Sequence, residues 1–107
     1  MYLIILSEIV TLTLDSVAGL AAGTAIKETG RTTLKTIGFD TPTALLDQIK
    51  AGTISATMAQ ATYSMGFWSM NLLFSSVHKL STQPVPPSVD TGITVVTKDN
   101  VNQFYDK

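Results

Sequence analysis

Strand-like and helix-like segments alternate along the chain, and each connection between successive strand-like segments is long enough to hold a helix. Apolar runs rich in β-branched residues predict four strands, at residues 4–14, 34–39, 54–59 and 89–97. Long crossovers of this kind join parallel strands in right-handed βαβ units. We therefore predict an α/β fold with three layers, in which helices flank a mostly parallel sheet of about four strands.

The connections between these strands predict three helices. An Ala-rich segment, residues 17–28, follows Asp15, a residue type that caps helix N-termini. Thr41 is the predicted N-cap of a second helix that begins at Pro42 and ends near Lys50. The third helix, from Thr62 to Leu80, carries large apolar residues around most of its circumference, which predicts burial on more than one side.

The composition excludes several classes of function. The chain has 107 residues, enough for one domain with a modest core. Its net charge is −1 and its basic residues are interspersed with acidic ones, so the basic stripe that nucleic-acid binding requires is missing. It has no cysteine and a single histidine, His78, which excludes thiolate catalysis and Cys-type zinc sites. We therefore expect no enzyme activity, no catalytic residue, no metal site and no cofactor.

Two apolar stretches raise the question of membrane insertion. The segment from Ala51 to His78 has no charged residue, but polar side chains such as Gln60 and Asn71 are too frequent in it for a helix in lipid, so we expect no transmembrane span. The first ten residues lack a basic start and a small-residue cleavage site, and Glu8 interrupts them. We expect a buried strand there, and no signal peptide in this chain.

Polar side chains follow the predicted strands where the strands end. Asp15 follows the first strand, Asp40 the second and Gln60 the third, while the last strand runs into Thr97-Lys98-Asp99-Asn100. The carboxyl ends of parallel strands are where open α/β sheets bind small ligands. Carboxylates and amides at such positions suit the hydroxyl groups of a ligand. The same residues also fit a helix cap, a turn acid and a loop amide, and the local sequence leaves both interpretations open.

Several short motifs occur in one order along the chain: Asp15-Ser16-Val17-Ala18-Gly19, Gly38-Phe39-Asp40, Ala56-Thr57-Met58-Ala59-Gln60 and Asp90-Thr91-Gly92-Ile93. In this order and spacing, from about Thr11 onward, the chain resembles the C-terminal part of a type I periplasmic sugar-binding protein, the ribose/galactose group that serves ABC transporters. The resemblance implies a periplasmic or extracytoplasmic location. It also implies that Asp40 and Gln60 bind sugar hydroxyls, with Gln60 at the hinge between two lobes. Asp15 is the third implied ligand contact, although Leu14 stands where many members carry Asn.

Members of that group are much longer and have two lobes that close over the ligand. The resemblance implies that residues 1–60 belong to the C-terminal lobe, that residues 61–82 form an apolar helix packing on a missing N-terminal lobe, and that residues 83–107 form a Pro-rich connector, a return strand and a tail. Charged residues are only 14% of the chain, which fits a surface that a partner covers. The implied partners are a sugar, a transporter permease and, against the helix from Thr62 to Leu80, the missing lobe or a second copy.

The resemblance therefore implies a truncated sugar-binding protein with weak or no ligand binding on its own. Two alternatives stay open at the level of sequence. One is a structural or interaction domain that self-associates through its apolar helix. The other is the ligand-sensing domain of a transcriptional regulator, because such domains share this fold.

Overall fold

A four-stranded sheet and three α-helices account for the regular structure of residues 10–80 and 84–105, which the computed structural model describes. The strands are β1 (Val10–Leu12), β2 (Lys35–Phe39), β3 (Ala56–Gln60) and β4 (Ile93–Val96), in the sheet order β1-β2-β3-β4. The helices are α1 (Ser16–Thr29), α2 (Thr43–Lys50) and α3 (Thr62–Val77), and a 3₁₀ helix follows at Val101–Phe104. The predicted α/β class and mostly parallel sheet are confirmed. Residues 4–9 of the first predicted strand lie outside the described residues.

The chain forms two compact units. The first unit contains Met1–Ala59 and Thr94–Lys107, and the second unit contains Gln60–Ile93. The chain therefore leaves the first unit at the end of β3 and re-enters it near the beginning of β4. The first unit is therefore discontinuous in sequence, because the whole second unit separates its last segment from the rest.

In the first unit, the three strands β1, β2 and β3 are parallel neighbours. Val10 pairs with Lys35 and Leu12 with Ile37, and Phe39 of β2 pairs with Met58 of β3. Because side chains alternate between the faces of a strand, the small and hydroxyl-bearing residues of β2 and β3 share one face. Thr36 and Thr57 on that face are completely buried.

Helix α1 lies close to the sheet because glycines face it. A Cβ added to Gly19 would lie 3.2 Å from Thr13 Oγ1 and 3.4 Å from Gly38 Cα. The helix begins at the predicted cap, since the Asp15 carboxylate accepts a hydrogen bond from the Ala18 amide at 2.6 Å. It ends at Gly30, whose φ of 66° is the left-handed conformation that terminates helices.

Helix α2 supplies three of the seven apolar core residues of the first unit, Leu45, Leu46 and Ile49. Its N-cap is Pro42, which is extended and makes no side-chain capping bond, so the prediction of Thr41 as the cap is wrong by one residue. Proline has no backbone N–H, so it is tolerated at the start of a helix, where the first amides have no partner within the helix. Its fixed φ fits both the N-cap position and the first helical residue. The buried core consists of Ile26, Leu45, Leu46, Ile49, Ile54, Val96 and Val101.

Strand β4 runs antiparallel to its neighbour β3. The amide of Ala61, just after β3, donates to the carbonyl of Gly92, just before β4, at 3.4 Å. The start of β4 therefore lies beside the end of β3, and the residues after β4 lie at the opposite edge of the sheet. The expectation that Thr97–Asn100 joins the other strand-end residues is wrong for this reason. Instead, the Asn100 side chain closes a local turn by accepting from the Thr97 amide at 2.8 Å.

The C-terminal segment is attached to α2 at that opposite edge. The Tyr105 hydroxyl donates to Asp47 Oδ1 at 2.7 Å, and Lys50 Nζ lies 5.3 Å from the centre of the Tyr105 ring. The pKa of Tyr105 is raised above 10.0 because partial burial disfavours the phenolate, and because the hydroxyl donates to a carboxylate whose negative charge lies beside it. These contacts hold the neutral form of the tyrosine against the helix.

In the second unit, α3 is followed by a Pro-rich connector. No residue of α3 is buried, so the predicted burial on more than one side is not observed within the part of the chain that the structure describes. One flank of the helix, at Met65, Trp68 and Leu72, lines a groove with Pro86 and Pro87 of the connector. The other apolar residues of α3 stay exposed.

Candidate ligand-binding site

The three predicted site residues all follow or end neighbouring parallel strands. Asp15 lies three residues beyond β1, Asp40 follows β2 directly, and Gln60 is the last residue of β3. Because β1, β2 and β3 are parallel and adjacent, their carboxyl ends share one edge of the sheet. The structure thus places Asp15 and Asp40 at this edge of the first unit and Gln60 at the last position of β3, and the polar residues after β4 lie elsewhere.

Asp40 has an unusual backbone conformation. Its φ of 63° lies in the left-handed region, which residues with a Cβ rarely adopt and which aspartate tolerates better than most. Two hydrogen bonds to β3 hold it there. Its amide donates to the Met58 carbonyl at 2.9 Å, and its carbonyl accepts from Thr57 Oγ1 at 2.8 Å. A strained residue fixed by its surroundings at a sheet edge is typical of binding sites.

Thr57 is a supporting residue that the sequence interpretation missed. Its hydroxyl donates a hydrogen bond to the backbone carbonyl of Asp40. The available signal was a threonine within an apolar strand. The structure buries this side chain completely, and a buried hydroxyl needs a hydrogen-bond partner. Its role is to hold Asp40 in position rather than to contact a ligand.

Asp15 serves as a helix cap, the alternative that its sequence context left open. Its Oδ1 accepts from the Ala18 amide, and the residue is exposed. A carboxylate has about four lone-pair directions, so capping by one oxygen leaves acceptor capacity on the other. The structure is therefore compatible with both roles at once.

Gln60 ends β3 where the chain passes into the second unit. The residue is half-buried, and the next residue, Ala61, is bonded through its amide to Gly92. Its side-chain amide can donate and accept, which suits a hydroxyl or ring oxygen.

The edge offers the carboxylates of Asp15 and Asp40 as hydrogen-bond acceptors, and the side-chain amide of Gln60 as both donor and acceptor. No cluster of three or more histidine, aspartate or glutamate side chains that could hold a metal ion occurs within residues 10–80 and 84–105. Across the same residues, no helix is long and apolar enough to cross a membrane. The arrangement can recognise hydroxyl groups through carboxylate and amide hydrogen bonds.

Comparison with known proteins connects this fold and edge to one family. The family described as periplasmic binding protein domain matches residues 8–79. Among solved structures, an arabinose-binding protein from Geobacillus stearothermophilus is 40% identical to this chain, with a TM-score of 0.77. The match covers 91% of this chain and 36% of the arabinose-binding protein. A sugar-binding protein of a sugar ABC transporter from Bacillus halodurans is 38% identical, with a TM-score of 0.76. The match covers 92% of this chain and 36% of the Bacillus protein.

A third solved structure is an ABC transporter solute-binding protein from Agrobacterium vitis with bound D-fucose. It is 33% identical with a TM-score of 0.73, and the match covers 90% of this chain and 32% of that one. A search of curated protein sequences gives no significant match. The chain thus spans about a third of the length of the solved structures it resembles. The resemblance predicted from the sequence is confirmed, and the chain belongs to the periplasmic binding protein domain family.

Proposed function

We propose that this chain is part of a sugar-binding protein that captures a sugar outside the cytoplasm for an ABC transporter. The observation that carries the proposal is Asp40, held in a left-handed conformation by two hydrogen bonds at the carboxyl edge of the sheet. A sparsely populated backbone conformation persists only where the surrounding structure fixes it, and such residues cluster at binding and active sites. The names of the similar solved proteins support a sugar as the ligand.

Asp40 and Gln60 would accept and donate hydrogen bonds to sugar hydroxyls, and Asp15 would contribute its second carboxylate oxygen. The opposite wall of the cleft would come from a first lobe, because the matched structures are about three times as long as this chain. The chain passes from the first unit to the second after β3 and returns to the first near the beginning of β4. We expect a hinge at these two passages, and Gln60 lies at the first of them. The closed, loaded form would then meet the transporter permease.

The test is a chimera in which this chain replaces the matching third of the Geobacillus arabinose-binding protein. Calorimetry with arabinose should show binding, and Asp40→Ala should weaken it by about thirtyfold or more, the effect expected when a charged hydrogen-bonding group is lost. Asp99→Ala is the matched control. Asp99 is an exposed carboxylate just after β4, at the edge away from Asp40.

Equal loss of affinity in the two variants would refute the placement of the site at the edge that follows β2. The isolated 107-residue chain should bind arabinose, fucose and galactose weakly or not at all. Micromolar binding by that isolated chain would show that no second wall is needed, and would overturn the proposal that a first lobe completes the site.

A further inference from the structure

Gly38 and Thr57 lie side by side on two neighbouring strands, just below the sheet edge that carries Asp40. They are register partners in β2 and β3, and Asp40 comes two residues after Gly38. Register partners in a parallel pair present their Cβ positions to the same face of the sheet. The Thr57 side chain on that face is completely buried. All three residues belong to the first unit, so their contacts are internal to it.

The absence of a side chain at Gly38 leaves the space that the Thr57 hydroxyl occupies. A Cβ added to Gly38 would lie 3.2 Å from Thr57 Oγ1 and 3.0 Å from Leu45 Cδ2, both closer than ordinary van der Waals contact. Leu45 is itself completely buried, and side chains in a close-packed core have little room to move. An alanine at position 38 would therefore press on the Thr57 hydroxyl.

The Thr57 hydroxyl in turn restrains the backbone of Asp40. It donates to the Asp40 carbonyl at 2.8 Å, while the Asp40 amide donates to the Met58 carbonyl at 2.9 Å. The bond to Met58 joins two backbone groups, whereas the bond from Thr57 depends on which side chain stands at position 57. The φ of Asp40 is 63°, in the left-handed region that a Cβ disfavours. Without the Thr57 bond, Asp40 is therefore freer to leave this conformation.

The backbone conformation of Asp40 sets the direction of its Cα–Cβ bond and hence the position of its carboxylate. Hydrogen bonds weaken steeply as their distance and angle depart from the ideal. We propose that Gly38 and Thr57 are positioning residues for sugar binding, in which the Thr57 hydroxyl, in the space that Gly38 leaves, holds Asp40 in the conformation that binds a sugar hydroxyl. The effect on sugar binding rests on the proposed function, because it takes Asp40 as a ligand-binding residue.

The first experiment measures the conformation of Asp40 in the 107-residue chain. The ¹³Cα and ¹³Cβ chemical shifts of Asp40, measured by NMR, report its backbone angles. Thr57→Val and Gly38→Ala should change both shifts, whereas Thr57→Ser keeps the hydroxyl and should leave them close to those of the unsubstituted chain. Thr36→Val is the matched control, because Thr36 is also completely buried and its Oγ1 has no hydrogen-bond partner among the described residues.

The second experiment measures arabinose affinity by calorimetry in the chimera with the Geobacillus protein. Thr57→Val should weaken binding about threefold to tenfold, the factor by which the loss of one hydrogen bond lowers the population of the binding conformation. Gly38→Ala should weaken binding in the same direction, and Thr57→Ser should recover most of the affinity that Thr57→Val loses. Thr36→Val should bind as tightly as the unsubstituted chimera. Far-UV circular dichroism verifies that each variant is folded.

A double-mutant cycle separates positioning from a general loss of stability. When Asp40→Ala has already removed the carboxylate, Thr57→Val should lower the affinity no further, because a positioning residue acts only through the residue that it positions. A general loss of stability would lower the affinity by the same factor with or without that carboxylate.

The inference is overturned if Thr57→Val leaves the Asp40 shifts and the affinity unchanged. A loss of affinity that Thr36→Val reproduces, or that persists in the Asp40→Ala background, would overturn it as well. Full affinity in Gly38→Ala would refute the role of Gly38. Failure of the proposed function gives a different result, in which Asp40→Ala and Asp99→Ala bind arabinose equally well, and the effect on affinity then fails with it.

Discussion

Thr36 and Thr57 form a matched pair for testing how the sheet edge is held together. Both are completely buried threonines on neighbouring strands. The Thr57 hydroxyl donates to the Asp40 carbonyl at 2.8 Å, whereas Thr36 Oγ1 has no hydrogen-bond partner among the described residues. Valine has nearly the same shape as threonine, so Thr→Val at each position changes the hydroxyl and little else.

The two substitutions should differ in their effect on the free energy of unfolding. Thr36→Val removes a buried polar group without a partner and should leave stability unchanged or raise it by about 1 kcal/mol. Thr57→Val removes a buried hydrogen bond and leaves the Asp40 carbonyl short of a partner, which should cost about 1–3 kcal/mol. The expected difference between the variants is therefore about 1–4 kcal/mol, with a central value of about 2 kcal/mol.

The assay is urea denaturation followed by far-UV circular dichroism. A difference of about 2 kcal/mol corresponds to roughly 8–16 °C in Tm for a domain of this size, so thermal melts give an independent check. Equal destabilisation of both variants would mean that the Thr36 hydroxyl has a partner after all, and the reasoning from unpaired polar groups would fail.

Three further predictions concern the backbone, the helix packing and pH. At Asp40, alanine should be less stable than glycine by about 1 kcal/mol, because a left-handed φ penalises a Cβ, and a melt in which alanine is the more stable would contradict this. Gly23→Ala should change stability by about 1 kcal/mol or less, since the Gln48 amide that its Cβ would overlap is the end of a flexible side chain and alanine favours the helix, and in a double-mutant cycle the same substitution should be stabilising when Gln48→Ala removes the overlap. The raised pKa of Tyr105 means that folding favours the protonated hydroxyl, so its contribution to stability is present below about pH 10 and is lost as the pH rises through the folded-state pKa. Tyr105→Phe should remove this alkaline dependence in chemical denaturation measured at a series of pH values, and an unchanged dependence would exclude Tyr105 as its source.

Local features of the fold were predictable from local sequence. The Asp15 cap of α1 depends on residues within one helical turn, and it is found as expected. The order of strands and helices follows from periodicity, which the chain carries clearly. The error at Thr41 is of the same local kind, since Pro42 fits the cap and the first turn about equally well.

Long-range features were not predictable in the same way. The direction of β4 depends on where the chain returns from the second unit, which the Ala61–Gly92 hydrogen bond shows and no local pattern records. The apolar residues of α3 indicate that this helix needs a partner, but periodicity does not say whether the partner lies in the same chain. At the site, the strand-end position of Asp40 was visible in the sequence, while its left-handed φ and its support by Thr57 were not.

The discontinuity of the first unit has a consequence for how the chain folds during synthesis. Val96 and Val101 are among the most buried core residues, yet they belong to the last segment of the chain. Domains fold from the N-terminus as they emerge from the ribosome, but this core cannot close until the entire second unit has been made. The apolar surfaces of α1 and α2 therefore stay partly exposed to solvent until the last segment is synthesised. Contacts between residues this distant in sequence also form slowly. Nascent chains that stop short of Val101 should consequently be more susceptible to proteases than chains that extend to Lys107.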